Sequence, residues 1–192
     1  QSNLVVGAST TRAAAADPAR GVALQIRKGP PVAGVIAGRS ADAAATLVAC
    51  NELWGLNLGR AALVEIAADL GADVPFALLG GTAIGIGRGD RLTPALVRGN
   101  YHWVFALAEE GLSTPAVYAE YDRLRDQAGT PARAPQASDG LMIALRNGDP
   151  KALGKALSND LEPAVLALRP QLRLTLHTGL EHDAEAWAAV AE

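Results

Sequence analysis

Apolar positions recur at helical spacing along most of the chain and alternate at strand spacing in a few short stretches. Residues 22–27 alternate between apolar and polar side chains, which predicts a half-buried strand. Residues 82–86 and 91–93 predict a hairpin, because a Gly-rich turn separates them. Residues 101–107 are rich in aromatic and branched side chains and predict a further strand.

The first two predicted helices flank a glycine-containing loop. Ser2 and Asn3 are suitable N-cap residues for a helix that continues to about Ala16. A second helix is predicted from Ser40, and Gly55 is a suitable C′ residue just past its end. Its expected buried face consists of Ala44, Leu47, Val48 and Trp54.

A third predicted helix repeats the apolar spacing and ends at Gly71. Its expected buried face consists of Leu63, Ile66, Ala67 and Leu70. Asp73 then precedes a short helix, with Pro75 in the first turn.

Only helices are predicted after Leu112, so the order is a mixed α and β part followed by a helical part. Residues 127–137 read as a linker between helices. The predicted helices of this part begin at Ser113, Ser138, Asp149 and Leu161, with one or two more after Pro170.

Composition narrows the class of protein. The chain has 192 residues, which suits one domain, or one domain and part of another. The net charge is −3 and no Lys/Arg cluster is present, which argues against a nucleic-acid partner. No apolar run reaches membrane-spanning length and no signal peptide is recognisable, so we expect a cytoplasmic protein without a membrane partner.

The single Cys50 and the three histidines exclude a disulfide framework and a Cys/His metal site. We expect Cys50 to be a small buried side chain. The chain begins at Gln1 without Met and closes on a helical pattern, so we expect a piece of a longer protein.

Residues 30–45 place Gly34 and Gly38 between a predicted strand and a predicted helix. Such glycines let the backbone approach an anion, and the N–H groups of the first helical turn point towards it. Neither a Gly-Lys-Ser/Thr run nor a G-x-G-x-x-G fingerprint is present. The local sequence therefore leaves two interpretations open, a phosphate site and a purely structural turn.

Asp73 also has two interpretations. A carboxylate at the start of a helix can act as a base towards a substrate hydroxyl. It can equally be an N-cap, which contributes about 1 kcal/mol. The local sequence favours the N-cap.

Three segments, taken together and in order, carry a resemblance to a known family. They are PVAGVIAGRSADAAATLVACNELWGLNL, GADVPFALLGGTAIGIGRGDRL and SNDLEPAVLALRPQL. They resemble the 4-diphosphocytidyl-2-C-methyl-D-erythritol kinase family of the GHMP kinase superfamily. The resemblance covers nearly the whole chain, and the runs GGTA and GRG within the second segment point to this family in particular.

The resemblance implies an α+β protein with the GHMP kinase fold. Residues 1–98 would form an N-terminally incomplete domain of ribosomal S5-like type. Residues 99–192 would form the largely helical start of a C-terminally incomplete second domain. The active site is expected in the cleft between the two domains.

The resemblance also implies an activity and a set of site residues. The activity is ATP-dependent phosphorylation of the 2-hydroxyl of 4-diphosphocytidyl-2-C-methyl-D-erythritol, a step of non-mevalonate isoprenoid biosynthesis, with ATP and Mg²⁺. Asp73 would orient or deprotonate the substrate hydroxyl, and Ser40 would lie close to Mg²⁺ and the phosphates. The ATP-phosphate loop would consist of Pro31, Val32, Ala33, Gly34, Ile36, Ala37, Gly38, Ser40 and Ala41.

The chain departs from the family pattern at four places. Val35 and Arg39 stand where the family has glycine. Arg39 can pair with a phosphate or fill the space that the nucleotide needs, and we favour obstruction. The family's catalytic lysine would precede Gln1, and its Gly-Ser-Gly-Pro-Thr motif should follow soon after Leu180 but does not. On this basis the chain by itself is not expected to be a competent kinase.

The departures keep a second hypothesis open, an inactive relative that binds nucleotides or partner proteins. A third, an unrelated α/β nucleotide-binding domain, would need alternating strands and helices, whereas helices dominate after Ser113.

Overall fold

The computed structural model describes residues 4–10, 22–25, 37–106, 108, 111–129, 131 and 137–181. The chain divides into two compact units, Gln1–Ala95 and Leu96–Glu192.

The first unit contains four described helices and a hairpin. The helices are α1 (Leu4–Thr10), α2 (Gly38–Leu53), α3 (Arg60–Leu70) and α4 (Val74–Leu79), and the strands are β1 (Ala83–Ile86) and β2 (Arg91–Pro94). The strands pair antiparallel, with Ala83 opposite Pro94 and Ile86 opposite Arg91, which confirms the predicted hairpin. The turn is tight, since a Cβ added at Gly85 would lie 2.9 Å from the Gly89 carbonyl oxygen.

Small side chains allow the helices of this unit to pack closely. The buried cluster consists of Ala8, Ala43, Ala44, Leu47, Ala67 and Val74. Ile66, Leu70 and Leu78 pack against it, so the predicted face of α3 is confirmed. The predicted face of α2 is wrong at Val48, which is half exposed because the buried stripe runs through Ala43, Leu47 and Cys50 instead.

The second unit is helical in its described part. Its helices are α5 (Thr114–Gln127), α6 (Asp139–Asn147), α7 (Pro150–Ala156), α8 (Glu162–Leu168) and α9 (Leu172–Glu181). Val117, Ala164 and Val165 form the buried cluster between α5 and α8. The predicted caps are confirmed: the Ser138 hydroxyl accepts from the Leu141 N–H, and the Asp149 carboxylate accepts from those of Lys151 and Ala152.

Two predicted strands are not found. Residues 22–25 are described and have no regular structure, while residues 26 and 27 lie outside the described part. Residues 101–106 also have none, although their composition is the most strand-like in the chain. The reason is the same in both places: a strand needs a partner, and in the described residues β1 and β2 pair only with each other.

Cys50 is a free, buried cysteine, as predicted. Burial raises the pKa of its thiol above the ordinary value. The described helices include none that is long and apolar enough to cross a membrane. The predicted continuation of α1 to Ala16 lies outside the described residues.

Candidate active site

The start of α2 is one half of the candidate site. The helix begins at Gly38, two residues before the predicted Ser40, and Ala37 is its N-cap with φ 50° and ψ 23°. This left-handed conformation is unfavourable for a residue with a Cβ. The first helical hydrogen bond runs from the Ala41 N–H to the Ala37 carbonyl oxygen at 2.9 Å. The N–H groups of the first turn therefore have no acceptor within the helix.

Ser40 lies in this first turn and is 8% exposed. Its hydroxyl makes no hydrogen bond within the described part of the chain, whereas the equally buried Thr46 hydroxyl donates to the Asp42 carbonyl oxygen at 2.8 Å. A buried hydroxyl without a partner costs about 1–3 kcal/mol. Ser40 is therefore a suitable place for a polar ligand group.

The rest of the predicted phosphate loop cannot be compared with the structure. Ala37, Gly38, Ser40 and Ala41 are described, and Arg39 has an exposed side chain. The remaining predicted residues, Pro31, Val32, Ala33, Gly34 and Ile36, lie outside the described residues together with Val35. Their assignment stays a prediction.

Asp73 is the other half of the candidate site. It occupies the N-cap position of α4, but its exposed carboxylate makes no hydrogen bond to the helix. The expectation of a side-chain cap is therefore wrong. The reason is the backbone: φ −90° and ψ −10° lie in the helical region, whereas a capping residue has extended angles that bring its side chain over the first turn.

The residues after Asp73 fix where its helix begins. Val74 and Pro75 are completely buried, and Val74 shares a core cluster with Ala43 and Ala44 of α2. Ala43 lies one turn after Ser40. Ser40 and Asp73 therefore belong to neighbouring helices that share one core.

Two arginines bind the elements around Asp73: Arg60, which sequence reasoning did not single out, and Arg88 of the GRG run. Arg60 donates through Nη2 to the carbonyl oxygens of Leu78 and Leu79, at 3.0 and 2.6 Å. Leu78 and Leu79 lie 18 and 19 positions after Arg60 in the sequence, so no local pattern could have revealed the contact.

Arg88 is the second of these arginines, in the turn between β1 and β2. It donates to Asp90 Oδ2 through Nε at 3.1 Å and Nη2 at 2.6 Å. Nη2 also approaches the Ala68 carbonyl oxygen of α3 at 3.4 Å. The hydrogen bonds from Arg88 hold the pKa of the Asp90 carboxyl below its ordinary value.

An open apolar cavity of about 330 Å³ lies next to the Arg60 contact. Its lining residues are Arg60, Ala61, Val64, Pro75, Leu79 and Leu92. Among the residues that the structure describes, no group of three or more His, Cys, Asp or Glu could hold a metal ion.

Similarity to known proteins identifies the family. Residues 3–81 match the GHMP kinases N terminal domain. The chain is 54% identical over 188 residues to the 4-diphosphocytidyl-2-C-methyl-D-erythritol kinase of Nocardia farcinica, and 53% identical over 181 residues to that of Leifsonia xyli. The chain is therefore similar to kinases of the GHMP family along nearly its whole length. The resemblance drawn from the sequence is thereby confirmed.

The two relatives extend well beyond the matched region. The alignments include 97% and 92% of this chain but 60% and 59% of the relatives. The chain thus spans about three fifths of the length of the curated relatives it matches.

A solved structure supports the same fold. The crystal structure of 4-(cytidine 5'-diphospho)-2C-methyl-D-erythritol kinase matches this chain with a TM-score of 0.67 and 27% sequence identity. The match covers 92% of this chain and 60% of the solved chain. The chain therefore has the GHMP kinase N-terminal domain fold, with mostly helices and a small two-stranded sheet in its described part.

Proposed function

We propose that this chain is part of an ATP-dependent kinase that phosphorylates the 2-hydroxyl of 4-diphosphocytidyl-2-C-methyl-D-erythritol, a step of non-mevalonate isoprenoid biosynthesis. The observation that carries the proposal is the 54% identity to a kinase of that name along 97% of the chain. Residues 1–98 would belong to an S5-like N-terminal domain, and residues 99–192 to the helical start of the C-terminal domain.

The start of α2 would bind the phosphates of ATP. Its first-turn N–H groups have no acceptor within the helix, and the positive end of the helix dipole favours an anion there. The buried Ser40 hydroxyl would add one more polar contact. The loop residues Pro31, Val32, Ala33, Gly34 and Ile36, with Ala37, Gly38 and Ala41, would complete the phosphate loop.

Ser40 also fits a bound Mg²⁺. This ion takes oxygen ligands and relies on phosphate and water for most of its coordination, so one protein hydroxyl is an adequate contribution. When bound, Mg²⁺ would neutralise charge on the transferred phosphoryl group.

Asp73 would act on the substrate hydroxyl. Its carboxylate is exposed and makes no capping bond, so it can accept a hydrogen bond from the hydroxyl and hold it in line with the phosphoryl group. Phosphoryl transfer depends mainly on such positioning.

Calorimetric titration of Mg²⁺–ATP into the chain tests the phosphate site. We expect Ser40→Ala to bind about tenfold more weakly than wild type, because the variant loses a hydrogen bond of about 1.4 kcal/mol. Thr46→Val is the matched control: it removes a buried hydroxyl from the same helix, but one that already bonds a backbone carbonyl. Equal affinities of Ser40→Ala and wild type would contradict the assignment of Ser40.

A catalytically inactive relative that binds nucleotides or partner proteins is the second candidate function, and Arg39 favours the loss of catalysis. Arg39 lies in the first turn of α2 with an exposed side chain, where it can fill the space that the nucleotide needs. If the Arg39 side chain obstructs the nucleotide site, Arg39→Gly binds ATP more tightly than wild type.

A phosphoryl-transfer assay of the longest in-frame gene product separates the two candidate functions. ATP binding without phosphoryl transfer, in wild type and in Arg39→Gly, would reject the kinase.

A further inference from the structure

The orientation of Asp73 depends on what holds α4. This helix has only six residues, and a helix of this length is not stable without tertiary contacts. At its start, the completely buried Val74 and Pro75 hold it against the core. Near its end, only the partly buried Leu78 packs against the same cluster, so burial holds the start of the helix more firmly than its end.

Arg60 holds the opposite end. Its Nη2 donates to the carbonyl oxygens of Leu78 and Leu79, the last two residues of α4. The last carbonyls of a helix lack donors within the helix, and a cation is favourable beside them. Arg60 therefore supplies both the donor and the charge that the end of α4 needs.

Arg60 does not serve its own helix in this way. It is the first residue of α3, where a cation meets the positive end of the helix dipole, and no acidic residue lies in that first turn. Leu63 and Ala67 anchor α3 through burial. The side chain of Arg60 thus acts on α4, at some cost to α3.

Packing on the Arg60 side of α4 is incomplete. The open cavity between the first two turns of α3, helix α4 and β2 is lined by Arg60, Ala61, Val64, Pro75, Leu79 and Leu92. Because side chains leave this space unfilled, the Arg60 contact adds to the packing of Leu78 in fixing the distance between the two helices.

We propose that Arg60 is a positioning residue: through its bonds to Leu78 and Leu79 it sets the direction of α4 and thereby places the Asp73 carboxylate. The inference rests on the proposed function of Asp73. Loss of the Arg60 contact leaves the end of α4 held by Leu78 alone, so the helix turns about Val74 and Pro75 and reorients the adjacent Asp73 carboxylate.

The test compares Arg60→Gln and Arg60→Lys with wild type by NMR, with aspartate labelled at the carboxyl carbon and the Asp73 signal assigned through Asp73→Asn. We expect Arg60→Gln to shift or broaden the Asp73 signal and Arg60→Lys to restore it in part, because lysine keeps a donor and the charge. Arg123→Gln is the matched control, since exposed Arg123 also makes two hydrogen bonds, to Glu120, but belongs to α5. It should leave the Asp73 signal unchanged.

Kinetics of the longest in-frame gene product supply the second measurement. Arg60→Gln should lower kcat by about tenfold with an unchanged KM for ATP, because small displacements of a reacting group cost this much or more. An unchanged Asp73 signal or an unchanged kcat in Arg60→Gln would overturn the proposal. If wild type transfers no phosphoryl group but the Asp73 signal responds to Arg60, the proposed function fails and the positioning by Arg60 stands.

Discussion

At the scale of single residues, Ala37 combines an unfavourable backbone with a place at the candidate phosphate site. A left-handed alanine costs about 1–2 kcal/mol, and such strain is often found at binding sites. Ala37 holds φ 50° directly before the first helical turn of α2. Asn57, with φ 52°, is easier to account for, since asparagine tolerates this region and its side chain donates to the Gly55 carbonyl oxygen.

Ala37→Gly should stabilise the protein by about 0.5–1 kcal/mol. Relief of the left-handed strain should stabilise the folded state by more than the added conformational entropy of glycine stabilises the unfolded chain. Urea denaturation measures the change. Ala45→Gly is the control, since Ala45 is an exposed interior residue of α2 and glycine there should destabilise by about 1 kcal/mol. Destabilisation by both substitutions would contradict the strain at Ala37.

The two aspartates at helix starts should differ in their effect on stability. Asp149 accepts hydrogen bonds from two backbone N–H groups, whereas Asp73 makes no capping bond. Asp149→Ala should therefore cost about 1 kcal/mol and Asp73→Ala close to nothing. Chemical denaturation of the two variants side by side gives the comparison, and an equal loss in both would restore the capping interpretation of Asp73.

At the scale of elements, sequence patterns predicted the pieces that depend on local chemistry. The helices that begin after Ser138 and Asp149 and the hairpin at Gly87 follow from capping and turn residues, which act within a few positions. The strand expected at residues 101–107 was wrong because strand formation depends on a partner distant in sequence. The Arg60 contact and the uncapped carboxylate of Asp73 escaped prediction for a related reason, since both depend on the backbone geometry of α4.

The stability of the hairpin turn should depend on pH through the ionisation of Asp90. Since Arg88 lowers the folded-state pKa of Asp90, the ion pair stabilises the turn above the unfolded-state pKa of about 4. This stabilisation is lost as pH falls through the lower folded-state pKa. The difference in stability between wild type and Asp90→Asn, followed by denaturation from about pH 6 to about pH 3, should shrink with acidification. A constant difference would exclude the ion pair as its cause.

At the scale of the whole molecule, residues 101–106 present an apolar surface without a strand partner. Trp103, Val104 and Phe105 are 60%, 88% and 63% exposed. Exposed apolar runs with unpaired backbone groups favour association between chains.

We expect the isolated chain to self-associate at high concentration and Val104→Lys to reduce this association. Size-exclusion chromatography with light scattering measures it. Leu174→Lys is the control, because Leu174 is 72% exposed but lies on helix α9, where its backbone is already hydrogen-bonded. A wild-type chain that stays monomeric at high concentration would contradict the prediction.

The alanines in the core of the first unit give it an unusual mutational profile. Four of the six clustered residues, Ala8, Ala43, Ala44 and Ala67, have no side chain beyond Cβ to lose. Alanine scanning therefore probes only Leu47 and Val74 in this core, and substitutions at the four alanines act in the opposite direction, by added volume. Ala43 lies in the same cluster as Val74, so Ala43→Val would push α2 and α4 apart. Two added methyl groups would thus displace the two halves of the candidate site while every polar residue of the site stays in place.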